Sequence, residues 1–216
     1  MSPRRAGTAL SREKVVMAAI DVLDETGYDG LTMRLVAKHL GVQLNTVYWH
    51  ASSKPELLEL MADELLAPAV TGPLPEPWEE RLRVLLGRYR DALLGHRDGA
   101  RVVAGTYPVL PNTLRLAETL LATLIDAGLS ERTASWATWH ASHLVIGSAQ
   151  EEQAAPAAIG DRLRQGVDAE RYPLLDRIVG VHTDSAYGER FAFDVELFLT
   201  GLRGMRERDG REGEER

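Results

Sequence analysis

Within ten residues the chain places an amide, two hydroxyl-bearing side chains, an imidazole and an ammonium: Asn45, Thr46, Tyr48, His50 and Lys54. A sixth polar group, Arg34, precedes them by about three helical turns. None of these groups has the neighbours that bond-breaking needs. The chain has no cysteine nucleophile, no glycine-rich phosphate loop after a strand and no HExxH, and Glu151 and Glu152 occupy adjacent positions that face different ways on a helix. What such side chains do well is recognition. An amide pairs bidentately with adenine, arginine with guanine or a phosphate, and hydroxyls and lysine hold the phosphate backbone.

The stretch TMRLVAKHLGVQLNTVYWH, Thr32 to His50, supplies the elements that position them. Thr32 caps a first helix on which Leu35, Val36 and Leu40 share a face, and Gly41 ends it in a left-handed turn. A second, short helix starts near Gln43 or Leu44. Ala37 permits a close crossing, and Val36, Leu40, Val42 and Val47 form the wedge between the two helices. Asn45, Thr46, Tyr48 and His50 stay outside that wedge, as a helix-turn-helix entering a DNA major groove requires. Met33 and Arg34 open the first helix, at the groove edge. Lys54 opens the next one, where Ser53 and Glu56 have capping-box spacing and Pro55 suits the first turn. The competing reading is a helical corner whose polar face is merely solvated. For His50 a metal-ligand role competes as well, with no second ligand near it in sequence.

The segment LSREKVVMAAIDVLDETGYDGLTMRLVAKHLGVQLNTVYWHASSKPELLELMADELL resembles, without a gap, the DNA-binding domain of the TetR family of bacterial transcriptional regulators. The signature is a helix ending in a Gly-Tyr turn, the GLTMRLVAKHLGV segment, the TVYWH helix and a lysine opening the following helix. ALLGHRDGARVVAGTYP and GSAQEEQ are similar to the tetracycline repressor's branch of that family. The resemblance implies an all-α homodimer that holds double-stranded operator DNA and releases it when a small molecule enters the C-terminal domain. Tyr48, His50, Thr46 and Lys54 keep the branch's pattern. Leu44 and Asn45 replace a glutamine and a proline, so a different operator is expected: Leu44 offers only apolar contact to a thymine methyl.

Composition limits the rest. The 216 residues, 44% hydrophobic, suffice for one small and one medium helical domain. There are no cysteines, no basic-then-apolar leader and no apolar run near the roughly 18 residues of a membrane span, so a cytoplasmic protein without membrane partners is expected. Arginine outnumbers lysine 22 to 3. The net charge of −7 divides unevenly: residues 1–54 hold seven Lys or Arg against five Asp or Glu, or +2, and the remainder holds 18 against 27, or −9. A basic reader on an acidic body binds phosphate locally and orients the encounter.

The expected organisation is a helix-turn-helix domain with its connecting helix over 1–67, a ligand-binding and dimerisation domain over 68–206, and a disordered tail over 207–216. Residues 1–10, with Arg4 and Arg5, read as an arm. Ser11 caps a helix that buries Val15, Ala19, Val22 and Leu23 and ends at Gly27. A connecting helix runs from Lys54 to Ala67, and the proline-rich PAVTGPLPEPW marks the boundary. Helices are expected at about 78–95, through Val103, at 112–127, at 131–153 and at 172–181. The segment AAPAAIGDRLRQGVDAE reads as a loop. On the last helix Phe191, Val195, Phe198, Leu202 and Met205 form a stripe that suits a four-helix interface between two subunits.

In the tetracycline repressor's branch a histidine, an asparagine and a metal-binding histidine grip magnesium-chelated drug. The aligned positions here are Val70, Leu85 and Val103. Glu151 matches the water-bridging carboxylate but supplies no metal site alone. No metal or cofactor is expected. A greasier cavity drawn from Val70, Leu85, Tyr89, Val103, Tyr107, Thr119, Trp139, His140, His143 and Glu151 would suit an apolar or aromatic effector. The plain alternative is that these are core residues. A helical ligand-binding or interaction protein without DNA reading, and a regulator acting as an activator, remain as alternative functions.

Overall fold

The computed structural model describes residues 10–156 and 158–214. Among them are eleven α-helices and no strand, so the fold is all-α. The arm carrying Arg4 and Arg5 lies outside the described residues.

The chain forms two compact units that are not contiguous in sequence. One comprises the chain up to Gly72 together with Arg88–Glu118; the other comprises Pro73–Gly87 with the chain from Thr119 onward. Two helices, Trp78–Leu94 and Pro111–Asp126, therefore contribute to both.

The first unit opens with α1 (Arg12–Gly30), α2 (Met33–Leu40), α3 (Leu44–Tyr48) and α4 (Lys54–Leu66). Ser11 Oγ accepts from the Lys14 N–H at 3.3 Å and fixes the start of α1. At Gly27 the backbone turns out of helical geometry (φ 73°, ψ 173°), so the regular part of α1 stops where the sequence placed its end and one further turn runs to Gly30. The hydrophobic face of α1 (Val15, Val16, Ala19, Ile20, Leu23) is buried, with α1 packed on α2 and α4 and α3 packed on α2; Val36, Val47, Leu57, Met61 and Leu65 are buried in the same unit. Met33, placed at the groove edge from the sequence, is buried instead, because it begins the inward face of α2. A 3-10 turn, Ala67–Val70, follows α4. The second half of α5 (Trp78–Leu94), α6 (Gly99–Ala104) and the first half of α7 (Pro111–Asp126) complete the unit, with α4 packed on α6.

In the second unit α8 (Glu131–Ala154) buries Ala134, Ala137, Ala141, Val145 and Ala149, one every turn, which lets α11 (Tyr187–Glu214) pack closely against it. Arg83 of α5 bridges to Glu196 of α11 (2.6 Å), and Arg203 of α11 to Glu79 (2.8 Å). The guanidiniums hold both carboxyls below the usual carboxylate range.

Three further expectations from the sequence require correction. The segment after α8 is not a loop: it contains α9 (Ile159–Gly166), packed on α10 (Pro173–Asp184), where Arg164 reaches both Asp161 and Asp184. Polar pairing holds this helix, so no apolar stripe announced it. The tail assigned to 207–216 is helical through Glu214. Asp209 anchors it by accepting from the Ser130 N–H at 2.8 Å and the Thr133 hydroxyl at 3.3 Å, bonds that also lower its pKa. Finally, Phe191, Val195, Phe198 and Leu202 are buried within the chain itself, and of the stripe assigned to a subunit interface only Met205 is exposed.

Asp63, on α4, is buried, and its carboxylate accepts from the Thr113 N–H (2.8 Å), the Thr113 hydroxyl (2.9 Å) and the Asn112 amide (3.2 Å). A negative charge at the first turn of α7 satisfies an orphan amide and complements the helix dipole. Asp63→Ala leaves those half-buried donors unmatched. The expected loss is about 1–3 kcal/mol, read as a lower urea midpoint; an unchanged midpoint would show that water replaces the carboxylate.

Candidate nucleic-acid interface and effector region

Each turn of the helix-turn-helix has a local physical cause. Thr32 Oγ1 accepts from the Leu35 N–H at 3.2 Å and starts α2. Gly41 closes α2 in the left-handed region (φ 66°, ψ 29°), where a side chain would be strained. The Val42 N–H then returns to the Ala37 carbonyl at 3.0 Å. Val36 and Val47 are fully buried and Ala37 nearly so at the crossing; Leu40 and Val42, expected in the same wedge, are half-buried at its edge.

α3 has only five residues and no side-chain cap at Gln43. Val47 and Ala51 point inward and hold it. Outward, Asn45 and Tyr48 are exposed, Leu44, Thr46 and His50 are half-buried, and Arg34 is exposed on α2. All six thus reach the surface from one helix-turn-helix. Beyond them is a residue the sequence analysis left aside: Trp49 is 83% exposed, more than any other large hydrophobic residue described. An exposed aromatic beside four hydrogen-bonding groups is the signal that would have marked it. Just before the reading unit, the Ser11 hydroxyl and then the Glu13 backbone hold the Glu13 carboxyl below the usual carboxylate range.

Lys54 is half-buried at the first position of α4. The cap next to it uses Ser53 as the capping box does, but the Glu56 carboxylate reaches one residue further back, to Ser52 rather than to the Ser53 N–H. Ser53 Oγ accepts from the Glu56 N–H at 3.2 Å, and the Glu56 carboxylate accepts from the Ser52 N–H at 2.7 Å and the Ser52 hydroxyl at 2.5 Å. These bonds, the hydroxyl's first, lower the Glu56 pKa.

The residues considered for an effector cavity divide between the units. In the first, Tyr89 and Val103 are buried, Val70 is half-buried, and Tyr107 is 80% exposed. In the second, Leu85 is fully buried and Thr119 half-buried, while Trp139, His140, His143 and Glu151 reach the surface. Trp139 and His143 lie on one face of α8 with ring centroids 6.1 Å apart. His140 instead sits against Phe198 (5.0 Å), at an apolar groove that Trp136, Leu144, Leu197, Gly201 and Met205 also line. Glu151 lines a different, polar cleft with α9 and α10. The donor set does not fit a magnesium ion: valines at 70 and 103 and leucine at 85 carry no lone pair to offer. Among the described residues no three His, Asp or Glu side chains converge as a metal site.

A helix-turn-helix with an exposed polar recognition face, joined to a larger helical unit, defines a class of DNA-binding regulators. The family comparisons specify which. Residues 15–61 match the family of bacterial regulatory proteins called tetR, and residues 72–206 match the tetracyclin repressor-like C-terminal domain. The chain is 35% identical over 198 residues to the class A tetracycline repressor protein from transposon 1721 of Escherichia coli, covering 90% of this chain and 91% of that one. Two similar crystal structures come from Streptomyces coelicolor. One is a possible TetR family transcriptional regulator, 36% identical, with a TM-score of 0.83 over 91% of this chain and 100% of its own. The other is the TetR family protein ActR in complex with actinorhodin, 27% identical, with a TM-score of 0.82 over 92% and 99%. The chain belongs to the TetR family and is a helix-turn-helix, DNA-binding transcriptional regulator. No helix among the described residues is long and apolar enough to cross a membrane.

The cap at the start of α4 sets a pH dependence. A carboxyl whose folded pKa is depressed stabilises the fold above its unfolded pKa, near 4.3 for glutamate, and that contribution is lost as pH falls through the folded value. NMR titration is expected to find Glu56 below the usual range, and Ser52→Ala to raise it. A Glu56 pKa unmoved by Ser52→Ala would remove the hydroxyl as its main cause.

Proposed function

We propose that the protein is a repressor which binds a palindromic operator as a homodimer and is released by an apolar or aromatic small molecule other than magnesium-tetracycline. The observation that carries the DNA-reading part is the exposure of Asn45, Tyr48 and Arg34, with Leu44, Thr46 and His50 beside them, on a scaffold whose inward positions are filled. Asn45 and Leu44 read base edges; Arg34, Thr46, Tyr48, His50 and Lys54 hold backbone or groove edge.

Dimerisation is supported by the apolar groove between α8 and α11. Trp136 and Leu197 are 62% and 56% exposed there, an arrangement that favours burial against a second copy. A dimer presents two recognition helices about 34–36 Å apart, in successive major grooves, and occludes a promoter. Effector entry displaces α4, changes that spacing and releases DNA; a coupling of about 1–3 kcal/mol suffices.

The effector class follows from chemistry at the aligned drug positions, where Val70, Leu85 and Val103 provide apolar surface and no metal ligand, with Tyr89, Tyr107, Thr119, Trp139, His140, His143 and Glu151 as further candidates. ActR, seen with actinorhodin, is a relative whose ligand is not magnesium-tetracycline. On this reading the protein acts in the cytoplasm and has no catalytic role, as membership of a family of transcriptional regulators supports.

Selection from random duplex DNA is expected to return a palindrome, with affinity that falls steeply as salt rises. On that site Tyr48→Ala and Lys54→Ala weaken binding, and Lys54→Ala lowers the salt slope by about one. Wild-type affinity in both variants would refute the DNA-reading assignment. The selected complex is also expected to survive magnesium and tetracycline together; its dissociation would overturn the effector class.

A further inference from the structure

We propose that Tyr28 is the positioning residue for the phosphate anchor Lys54, an inference that rests on the DNA-binding reading above. Lys54 is the first residue of α4, where the positive end of the helix dipole repels an ammonium. Helix stability therefore gives no reason for a lysine at this place. Among the described residues Lys54 makes no ion pair. Its Nζ lies 5.4 Å from the centroid of the Tyr28 ring, within range of a cation–π contact. A free lysine loses much of its rotamer freedom on docking to a phosphate. The ring takes part of that loss before DNA arrives and aims the ammonium.

The ring is itself held from α6 and the turn before it. The Tyr28 N–H donates to Asp98 Oδ2 at 2.8 Å. The Arg101 guanidinium carbon lies 4.3 Å from the same ring centroid, and Asp29 fixes that guanidinium with two bonds of 2.9 and 2.8 Å. Gly27, in the left-handed region, brings the backbone so near that an added Cβ would lie 2.9 Å from the Asp98 carboxylate. Arg101 is thus committed to Asp29 and to the ring, and the cation left to meet DNA is Lys54. Tyr28 sets where it points.

The test is operator and random-duplex binding by the full-length protein and four variants, each measured below its own unfolding transition. Tyr28→Leu is expected to weaken binding about two- to fivefold per half-site, the range of an exposed cation–π contact. The loss falls equally on specific and random DNA, since phosphate contacts carry no sequence information. Tyr28→Phe keeps the aromatic face and binds as wild type does. Lys54→Met with Tyr28→Leu binds no more weakly than Lys54→Met alone, because the ring acts only through the lysine. Wild-type affinity for Tyr28→Leu, an equal loss in Tyr28→Phe, or additive losses in the double variant would each overturn the positioning role while leaving DNA binding intact. Failure of the wild type to bind any duplex would overturn the DNA-binding reading, and this role with it.

Discussion

The Asp98 carboxylate occupies the space that any side chain at residue 27 would need, and the first unit is organised around that constraint. With glycine there, the end of α1 comes close enough for Tyr28 N–H to reach Asp98, for the Arg97 N–H to reach Asp24 (2.8 Å), and for His96 Nδ1 to lie 2.9 Å from the same aspartate. Residues 96–101 and the last turn of α1 are about seventy positions apart in sequence, yet they form one clasp. The reading head is therefore not a free three-helix module. Its first helix is fastened to α6, and α6 also packs on α4.

Asp63 makes a second such connection, from α4 to the first turn of α7. Both connections use carboxylates that accept from backbone N–H groups, and this choice has a mechanical consequence. Apolar contacts tolerate small sliding because they are not directional. A carboxylate aimed at an amide does not, since the bond weakens steeply with angle. The helix that carries Lys54 at one end is thus gripped near its other end by a directional bond, and motion of α4 moves α7 with it.

The reading unit was legible in the sequence because its causes are local. Thr32, Gly41, Ser53 and Glu56 each act within a few residues, and the Val36 and Val47 positions follow from helical period alone. The second unit was less so, since its determinants are distant pairs: Arg83 with Glu196, Asp209 with Ser130, Arg164 with Asp184. A sequence of alternating charges such as RERDGREGEER gives no sign that Asp209 will anchor it. The α11 stripe shows a further limit. Periodicity showed that Phe191, Val195, Phe198 and Leu202 share a face, but not whether that face meets α8 of the same chain or a second copy. The residues left for a partner, Phe193 and Leu197, lie off the stripe. The family resemblance located aligned positions for an effector, yet Tyr107 and Trp139 are largely exposed while Leu85 and Tyr89 are buried, a difference no alignment encodes.

The shortness of α3 links core to recognition. Five residues are too few for a helix to persist in water on propensity, and Gln43 adds no capping bond. Its geometry is imposed by Val47 and Ala51, which are buried, and by the turn that Gly41 permits. Asn45, Tyr48 and Trp49 are therefore only as well placed as the wedge beneath them. Enlarging or emptying that wedge tilts the whole reading surface without touching a DNA-facing atom, so in this protein the precision of base readout is a packing property before it is a hydrogen-bonding one.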